Sequence, residues 1–209
     1  MNWQPEVYQA FAPVKPKIRE QRMNIDRLRT LRQQFITTNN AEWVSVVNLR
    51  NLVKGEFERQ GYLNTQTYHT LLDWKLRRQR NRTERHREDN TEDLIRELTG
   101  TFWRVTHPNA EKQMEIKLKV LMAIPGTGLG VASTILTLST PETFGIIDFR
   151  NWGVLYNEVK RTFTLTEYKK YLESIRQFAV QLMCDVQEVD YLLWKEYENL
   201  GGQINQGDG

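Results

Sequence analysis

A tight turn rich in proline and glycine, set between two helical stretches, is the feature that most constrains the fold. Residues 124–133 read Ile-Pro-Gly-Thr-Gly-Leu-Gly-Val-Ala-Ser. Apolar residues at helical spacing precede the turn over 112–123 and follow it after Gly128. Pro125 disfavours helix in the residue before it, and Gly126 can adopt a positive φ without steric cost. The pattern therefore predicts a helix, a tight turn and a second helix over about 112–138.

Such a turn can bind an anion through its backbone. The amides of Gly126, Gly128 and Leu129 would lie near a helix N-terminus, where unpaired N–H groups and the helix dipole favour negative charge. An ordinary corner between two helices would give the same pattern. The residues of the turn alone do not distinguish an anion-binding turn from an ordinary corner.

The turn, the loop after it and one aspartate together resemble the helix-hairpin-helix (HhH-GPD) DNA glycosylase superfamily. That family's hairpin follows the pattern Leu-Pro-Gly-(Val or Ile)-Gly-x-Lys-Thr-Ala, and a loop then leads to its catalytic aspartate. Here the loop is 140–147 and the aspartate position falls on Asp148, without a gap in the spacing. The resemblance is close over roughly 117–157, and the remainder of the chain is similar only in its helical character.

The resemblance implies an all-α, two-lobed helical glycosylase-like domain with Asp148 as the catalytic residue. It implies that Trp152 and Tyr156 line the pocket for an extruded base. It also implies that backbone carbonyls of the hairpin, here those of Ile124 and Gly126, can hold a monovalent cation, K⁺ or Na⁺, which bridges to a DNA phosphate. The residues expected to contact DNA are Ile124, Gly126, Thr127, Gly128, Leu129, Gly130, Lys117, Lys119 and Arg150.

Two departures from the family pattern shape the expected chemistry. Members that also cut the DNA backbone carry a lysine at the seventh hairpin position, where this chain has Gly130. Glycine offers no nucleophile, so we expect a monofunctional enzyme that leaves an abasic site. The family's usual aspartate-Thr-His is replaced by Asp148-Phe149-Arg150, so the identity of the recognised base stays open.

An iron–sulfur cluster, which some branches of the family contain, needs four cysteines. Cys184 is the one cysteine of this sequence, so we expect no cluster and no other required cofactor.

Asp148 has two compatible roles by its position. It precedes the helix predicted from about Phe149 and is therefore a candidate N-cap. A carboxylate at a helix N-terminus stays ionised, because amides and dipole favour the charged form. An ionised carboxylate can stabilise the oxocarbenium-like sugar that forms as a base departs. For Arg150, pairing with Asp148 and contact with a DNA phosphate are equal alternatives.

Positive charge is concentrated in two places although the formal net charge is only +3. One is the segment from Lys75 to Arg87, which contains six arginines, and the other comprises Lys112, Lys117 and Lys119 before the hairpin. Basic clusters are expected of a protein that binds the phosphate backbone, although a solvated charged helix has the same composition.

His69, His86 and His107 have no spacing suited to a metal site or a catalytic triad, and we interpret them as surface or packing residues.

The chain is predicted to be a single helical unit. An irregular arm over 1–20 precedes a glycosylase-like domain over 21–202, and 203–209 forms a flexible tail. Further helices are predicted from Ile25, over 41–60, around 68–75, over 94–98 ending at Gly100, after the capping box Thr164-x-x-Glu167, and after Asp185. No segment alternates as a strand does. No apolar run approaches the ~18 residues that span a bilayer, and the N-terminus is no signal peptide, so we expect a cytoplasmic protein without membrane contact.

The expected function is therefore that of a monomeric, monofunctional DNA N-glycosylase. It would bind double-stranded DNA, flip out a damaged or modified base and hydrolyse the bond between base and sugar. The first alternative is a non-catalytic helix-hairpin-helix module that binds DNA and has lost the base pocket. The second is a helical interaction protein in which the Pro-Gly turn is coincidental.

Overall fold

The computed structural model describes residues 23–76, 84, 86 and 89–201. The predicted arm over 1–20, the predicted tail over 203–209 and all six arginines of the segment from Lys75 to Arg87 lie outside these residues. Within the described part, the chain forms helices and no strands, which confirms the all-α prediction. The division into two lobes stays a prediction.

Nine helices occupy the described residues. They are α1 (Ile25–Phe35), α2 (Ala41–Gln60), α3 (Thr65–Leu76), α4 (Glu92–Arg104), α5 (Ala110–Met122), α6 (Leu129–Ser139), α7 (Phe149–Tyr156), α8 (Leu165–Leu182) and α9 (Val186–Asn199). Buried side chains from all of them join in one hydrophobic core. None of these helices is both long and apolar enough to cross a membrane.

Local capping chemistry sets several of the helix ends. The Thr164 side chain accepts a hydrogen bond from the Glu167 backbone N–H while Glu167 reaches back to Thr164, which confirms the capping box at the start of α8. Helix α2 ends at Gly61, whose φ of +79° is left-handed and suits glycine. Asp148 is the N-cap of α7 and accepts the Arg150 N–H at 2.9 Å, so its predicted capping role is confirmed.

The prediction that the fourth helix ends at Gly100 is wrong, because α4 continues to Arg104. Gly100 lies inside the helix, and a Cβ there would sit 3.6 Å from the Cβ of Tyr62. Beyond it, Phe102 and Trp103 pack on Phe57 with ring centroids 5.4 and 4.9 Å apart. Tertiary packing of these aromatic rings therefore outweighs the low helix propensity of one glycine.

Helix α6 is buried along almost its whole length and occupies the centre of the molecule. It packs against α2, α3 and α5. Its hydroxyl side chains are satisfied within the helix, since Thr134 donates to the Gly130 carbonyl at 2.8 Å and Thr137 donates to the Ser133 carbonyl at 2.7 Å. This burial fixes the N-terminal end of α6, and with it the glycine turn, against the rest of the core.

Candidate active site

The glycine turn lies between α5 and α6, as predicted. It closes with the Thr127 N–H donating to the Ile124 carbonyl at 3.0 Å, and Gly126 has a φ of +77°. A Cβ at Gly126 would approach the His86 ring to 2.8 Å, so both the backbone angle and the neighbour require glycine. Gly128 is the N-cap of α6, and no side chain caps this helix start.

Three side chains hold the turn from outside. The Tyr68 hydroxyl of α3 shares a 2.6 Å hydrogen bond with the Thr127 hydroxyl, and the Asn90 amide donates to the Pro125 carbonyl at 3.1 Å. His86 packs on Gly126. Sequence analysis interpreted His86 as a surface or packing residue and placed Tyr68 in a helix, but it assigned none of the three residues to the turn, because these contacts join positions far apart in the chain.

The predicted DNA-binding residues of the turn divide into exposed and buried positions. Gly126 and Gly128 are exposed and Gly130 is half-buried, whereas Ile124, Thr127 and Leu129 are buried. Any contact of the three buried residues with DNA would therefore be made by their main-chain atoms. The Ile124 carbonyl accepts one hydrogen bond and retains a second lone pair, which is compatible with cation binding there. The cation at Ile124 and Gly126 stays a prediction.

The two predicted lysines of α5 differ in their surroundings. Lys119, in the last turn of the helix before the glycine turn, is exposed. The Lys117 ammonium instead lies 4.9 Å from the ring centroid of Phe102 and 5.8 Å from that of Trp103. Burial lowers the pKa of Lys117. Of the two, Lys119 has the surroundings expected of a phosphate contact.

The turn and Asp148 are brought together by contacts at the start of α6. The Ser133 hydroxyl accepts the Ile147 N–H at 3.3 Å, and a Cβ at Gly130 would lie 3.7 Å from the Ile147 carbonyl. The first turn of α6 therefore borders the residue immediately before Asp148. The glycine turn and Asp148 are thus linked through the start of α6.

Asp148 has an ion-pair partner that sequence reasoning missed. The Lys75 ammonium, from α3, lies 3.0 Å from Asp148 Oδ2, and the two side chains are only 14% and 17% exposed. Arg150 Nη1 approaches the same oxygen at 4.0 Å, while its guanidinium lies over the Phe149 ring. Burial acts to raise the pKa of Asp148, but the charges of Lys75 and Arg150 and the Arg150 N–H outweigh it and lower that pKa.

A second carboxyl, Asp190 of α9, supports the loop that leads to Asp148. Its Oδ1 accepts the Ile146 N–H at 3.0 Å, the Asn151 amide at 2.9 Å and the Tyr171 hydroxyl. Burial raises the pKa of Asp190 to about 7, against the hydrogen bond from Tyr171 and the charge of Lys75. Asp190 thus joins the loop, α7, α8 and α9 in one buried polar cluster.

The two predicted base-pocket residues are packed against each other. Trp152 is 2% exposed and its indole N–H donates to Glu158 at 3.1 Å. The Tyr156 ring lies 4.3 Å from the Trp152 ring, and its hydroxyl donates to the Lys170 carbonyl at 3.1 Å. A base would therefore stack on the half-buried Tyr156, and the buried Trp152 would support the Tyr156 ring without touching the base. Their role in base recognition stays a prediction.

No protein-family model, curated protein or solved structure matches this chain.

Proposed function

We propose that this protein is a divergent member of the helix-hairpin-helix DNA glycosylase superfamily that excises a damaged or modified base from double-stranded DNA. The observation that carries the proposal is that the start of α6, which follows the glycine turn directly, contacts Ile147, the residue before Asp148. This contact supports a site in which the exposed backbone of the turn binds a phosphate and Asp148 acts as an ionised carboxylate. DNA held by the turn would present a flipped nucleotide to that carboxylate.

In the proposed reaction, Asp148 acts on the sugar and not on the base. The bond between C1′ and the base nitrogen breaks, and the electron pair leaves with the base. The Asp148 carboxylate stabilises the positive charge that develops on the sugar, water then adds at C1′, and the proton that this water loses neutralises the departing base. The expectation that the enzyme is monofunctional rests on Gly130, which supplies no amine.

A non-catalytic DNA-binding module is the second candidate, and one observation favours it. Asp148 is already paired with Lys75 and approached by Arg150, as in a structural ion pair. A panel of duplexes with damaged, mismatched and modified bases, followed by alkali, separates the two candidates, because alkali breaks DNA at abasic sites. Breaks above background support the glycosylase, whereas binding without breaks supports the module.

Gly128→Val is expected to weaken duplex binding by about 1–3 kcal/mol, since a β-branched side chain blocks close approach of a phosphate to the backbone. The fold should tolerate the change, because a Cβ at Gly128 meets nothing within 4 Å and its φ is −85°. Fluorescence anisotropy with labelled duplex measures the affinity. Gly55→Val is the matched control, since Gly55 is also exposed and its Cβ also meets nothing within 4 Å. Equal affinities of the two folded variants would contradict a role of the turn in binding.

The salt dependence of binding should identify the basic residues that contact phosphates. Each lost phosphate contact lowers the log–log slope by ~0.9. Replacing Lys117 and Lys119 together by glutamine should flatten the slope, and Lys119→Gln alone should produce most of that change because Lys119 is the exposed one. Lys112→Gln is the control on the same helix, where Lys112 pairs with Glu115 at 3.4 Å. Unchanged slopes in all variants would show that α5 presents an ordinary solvated face.

A further inference from the structure

The hydroxyl of Tyr197, near the end of α9, is a buried polar group without a partner. Tyr197 is 3% exposed, and no residue in the described part of the chain forms a hydrogen bond with its hydroxyl. A buried hydroxyl in this state lowers stability, because it gives up its hydrogen bond to water without a replacement. Buried polar groups are rarely left unpaired, and a ligand that accepts the hydrogen would account for this one.

The face of α9 that carries Tyr197 lies against the start of α7. Asp190, two helical turns earlier on the same face, accepts the Asn151 amide of α7 at 2.9 Å. The Tyr197 ring meets the Phe149 ring edge to face, with centroids 5.9 Å apart and ring planes at 83°. Phe149 directly follows Asp148 in the chain. Helix α9 therefore places the Tyr197 hydroxyl in the surroundings of the proposed catalytic carboxylate.

The charges of the site act on this hydroxyl. Burial raises the pKa of Tyr197, the charge of Arg150 acts against that effect, and the charge of Asp148 adds to it. The hydroxyl is therefore protonated at neutral pH and can donate a hydrogen bond. Asp148 does not accept it, because its two oxygens accept the Arg150 N–H at 2.9 Å and the Lys75 ammonium at 3.0 Å. A donor thus stays unused beside the carboxylate.

The neighbourhood of Asp148 determines which part of a nucleotide this donor would meet. In the proposed reaction the sugar atom C1′ lies at Asp148, so the next group is the end of the base that is bonded to C1′. Pyrimidines carry the acceptor O2 at that end, and purines carry N3. Negative charge builds up on the base as it takes the electron pair of the breaking bond, and a hydrogen bond to it strengthens accordingly.

We propose that the Tyr197 hydroxyl donates a hydrogen bond to O2 or N3 of the extruded base and stabilises that base as it leaves. This inference rests on the proposed function. The hydroxyl keeps its proton throughout. The bond between C1′ and the base nitrogen breaks, the electron pair goes to the base, and the water that adds at C1′ supplies the proton that neutralises it. Asp148 thus acts on the sugar side of the breaking bond and Tyr197 on the base side.

A base can reach this hydroxyl only after a neighbouring side chain moves, because the hydroxyl is closed to solvent. Arg150 is suited to that movement. Its side chain is 34% exposed, its guanidinium lies over the Phe149 ring, and it approaches Asp148 only to 4.0 Å. Transfer of this guanidinium to a DNA phosphate would be the phosphate contact that its sequence position allows.

Tyr197→Phe tests the inference, since it removes the hydroxyl and keeps the ring on Phe149. Single-turnover base release from the duplex identified in the panel should fall at least about tenfold. Affinity for a duplex with a tetrahydrofuran abasic analogue, which has no base, should be unchanged. The melting temperature should be unchanged or higher, because an unpaired buried hydroxyl is removed. A residue that only supports the fold would lose stability together with activity.

Tyr191→Phe is the matched control. Tyr191 also lies on α9, is 5% exposed and packs on Trp43 of α2 with ring centroids 4.9 Å apart. This variant should release the base at the wild-type rate. Equal release by Tyr197→Phe and the wild type would overturn the role of Tyr197 and leave the glycosylase standing.

A second measurement does not depend on bond cleavage. A duplex with 2-aminopurine in a mismatch, whose fluorescence rises when the base leaves the stack, reports extrusion, and 2-aminopurine carries N3. The rise should be several-fold smaller with Tyr197→Phe than with the wild type. An equal rise with both proteins, or no rise with either, would overturn the role of Tyr197. A rise that depends on Tyr197, with no base released from any duplex in the panel, would overturn the glycosylase and support base binding at Tyr197 alone.

Discussion

Asp148→Asn is expected to lower the rate of base release by a factor on the order of 10² or more, because it removes the charge that stabilises the developing oxocarbenium. Asparagine caps helices about as well as aspartate, so α7 should still begin at Phe149. Single-turnover excision on the duplex identified in the panel measures the rate. DNA affinity should be unchanged or slightly tighter, since one charge that repels phosphates is lost.

The control for this variant is Asp185→Asn, which changes the N-cap aspartate of another helix, α9. Its excision rate should equal that of the wild type. Equal rates for Asp148→Asn and the wild type would instead show that Asp148 is only a cap. A thermal melt at neutral pH should also show some destabilisation of Asp148→Asn, because Lys75 loses its charged partner in a mostly buried position.

The lowered pKa of Asp148 gives this stability effect a defined pH dependence. Its ordinary pKa is 3.8, and the folded protein lowers it. The ionised carboxylate therefore stabilises the folded state above pH 3.8, and this contribution disappears as the pH falls through the lower, folded-state pKa. The difference in unfolding free energy between wild type and Asp148→Asn should shrink correspondingly in acid.

The features of the site that depend on local sequence were predictable. The turn at Pro125 and Gly126 and the N-cap at Asp148 follow from the backbone preferences of a few adjacent residues. The capping box at Thr164 follows from the same kind of information. For this reason the predicted start of α7 and the bounds of α2 agree with the structure.

The features that depend on tertiary contacts were not predictable from the sequence. Lys75 stands next to an arginine-rich run and looked like part of a DNA-binding cluster, yet it pairs with a residue 73 positions away. Asp190 lies in the first half of α9, an amphipathic helix that follows an N-cap aspartate as many helices do. No local pattern distinguishes Asp190 from an acidic residue on the surface. Both act through pairings that exist only once α3 and α9 have packed against the loop before Asp148.

Asp190→Ala is expected to lower the free energy of unfolding by roughly 3–5 kcal/mol, because it leaves the buried Ile146 N–H and Tyr171 hydroxyl without the carboxylate that accepts them. The Asn151 amide loses the same carboxylate but still donates to the Asp190 main-chain carbonyl at 3.1 Å. Asp190→Asn keeps an oxygen at the same position and should cost far less. Chemical denaturation at fixed pH measures both. Where Asp190→Ala is still folded, base release should also fall, since the loop that holds Asp148 has lost its anchor.

The raised pKa of Asp190 also predicts how the stabilities of wild type and Asp190→Asn differ with pH. Burial raises the pKa of Asp190 from 3.8 to about 7, so between these values the folded protein binds a proton that the unfolded chain releases. The contribution of Asp190 to stability is therefore greatest in acid and falls as the pH rises towards 7. Asparagine does not titrate, so the unfolding free energy of Asp190→Asn should rise relative to that of the wild type as the pH increases over the same range. Parallel pH profiles of wild type and Asp190→Asn would contradict the raised pKa of Asp190, and wild-type stability in Asp190→Ala would contradict the buried cluster as the support of the Asp148 loop.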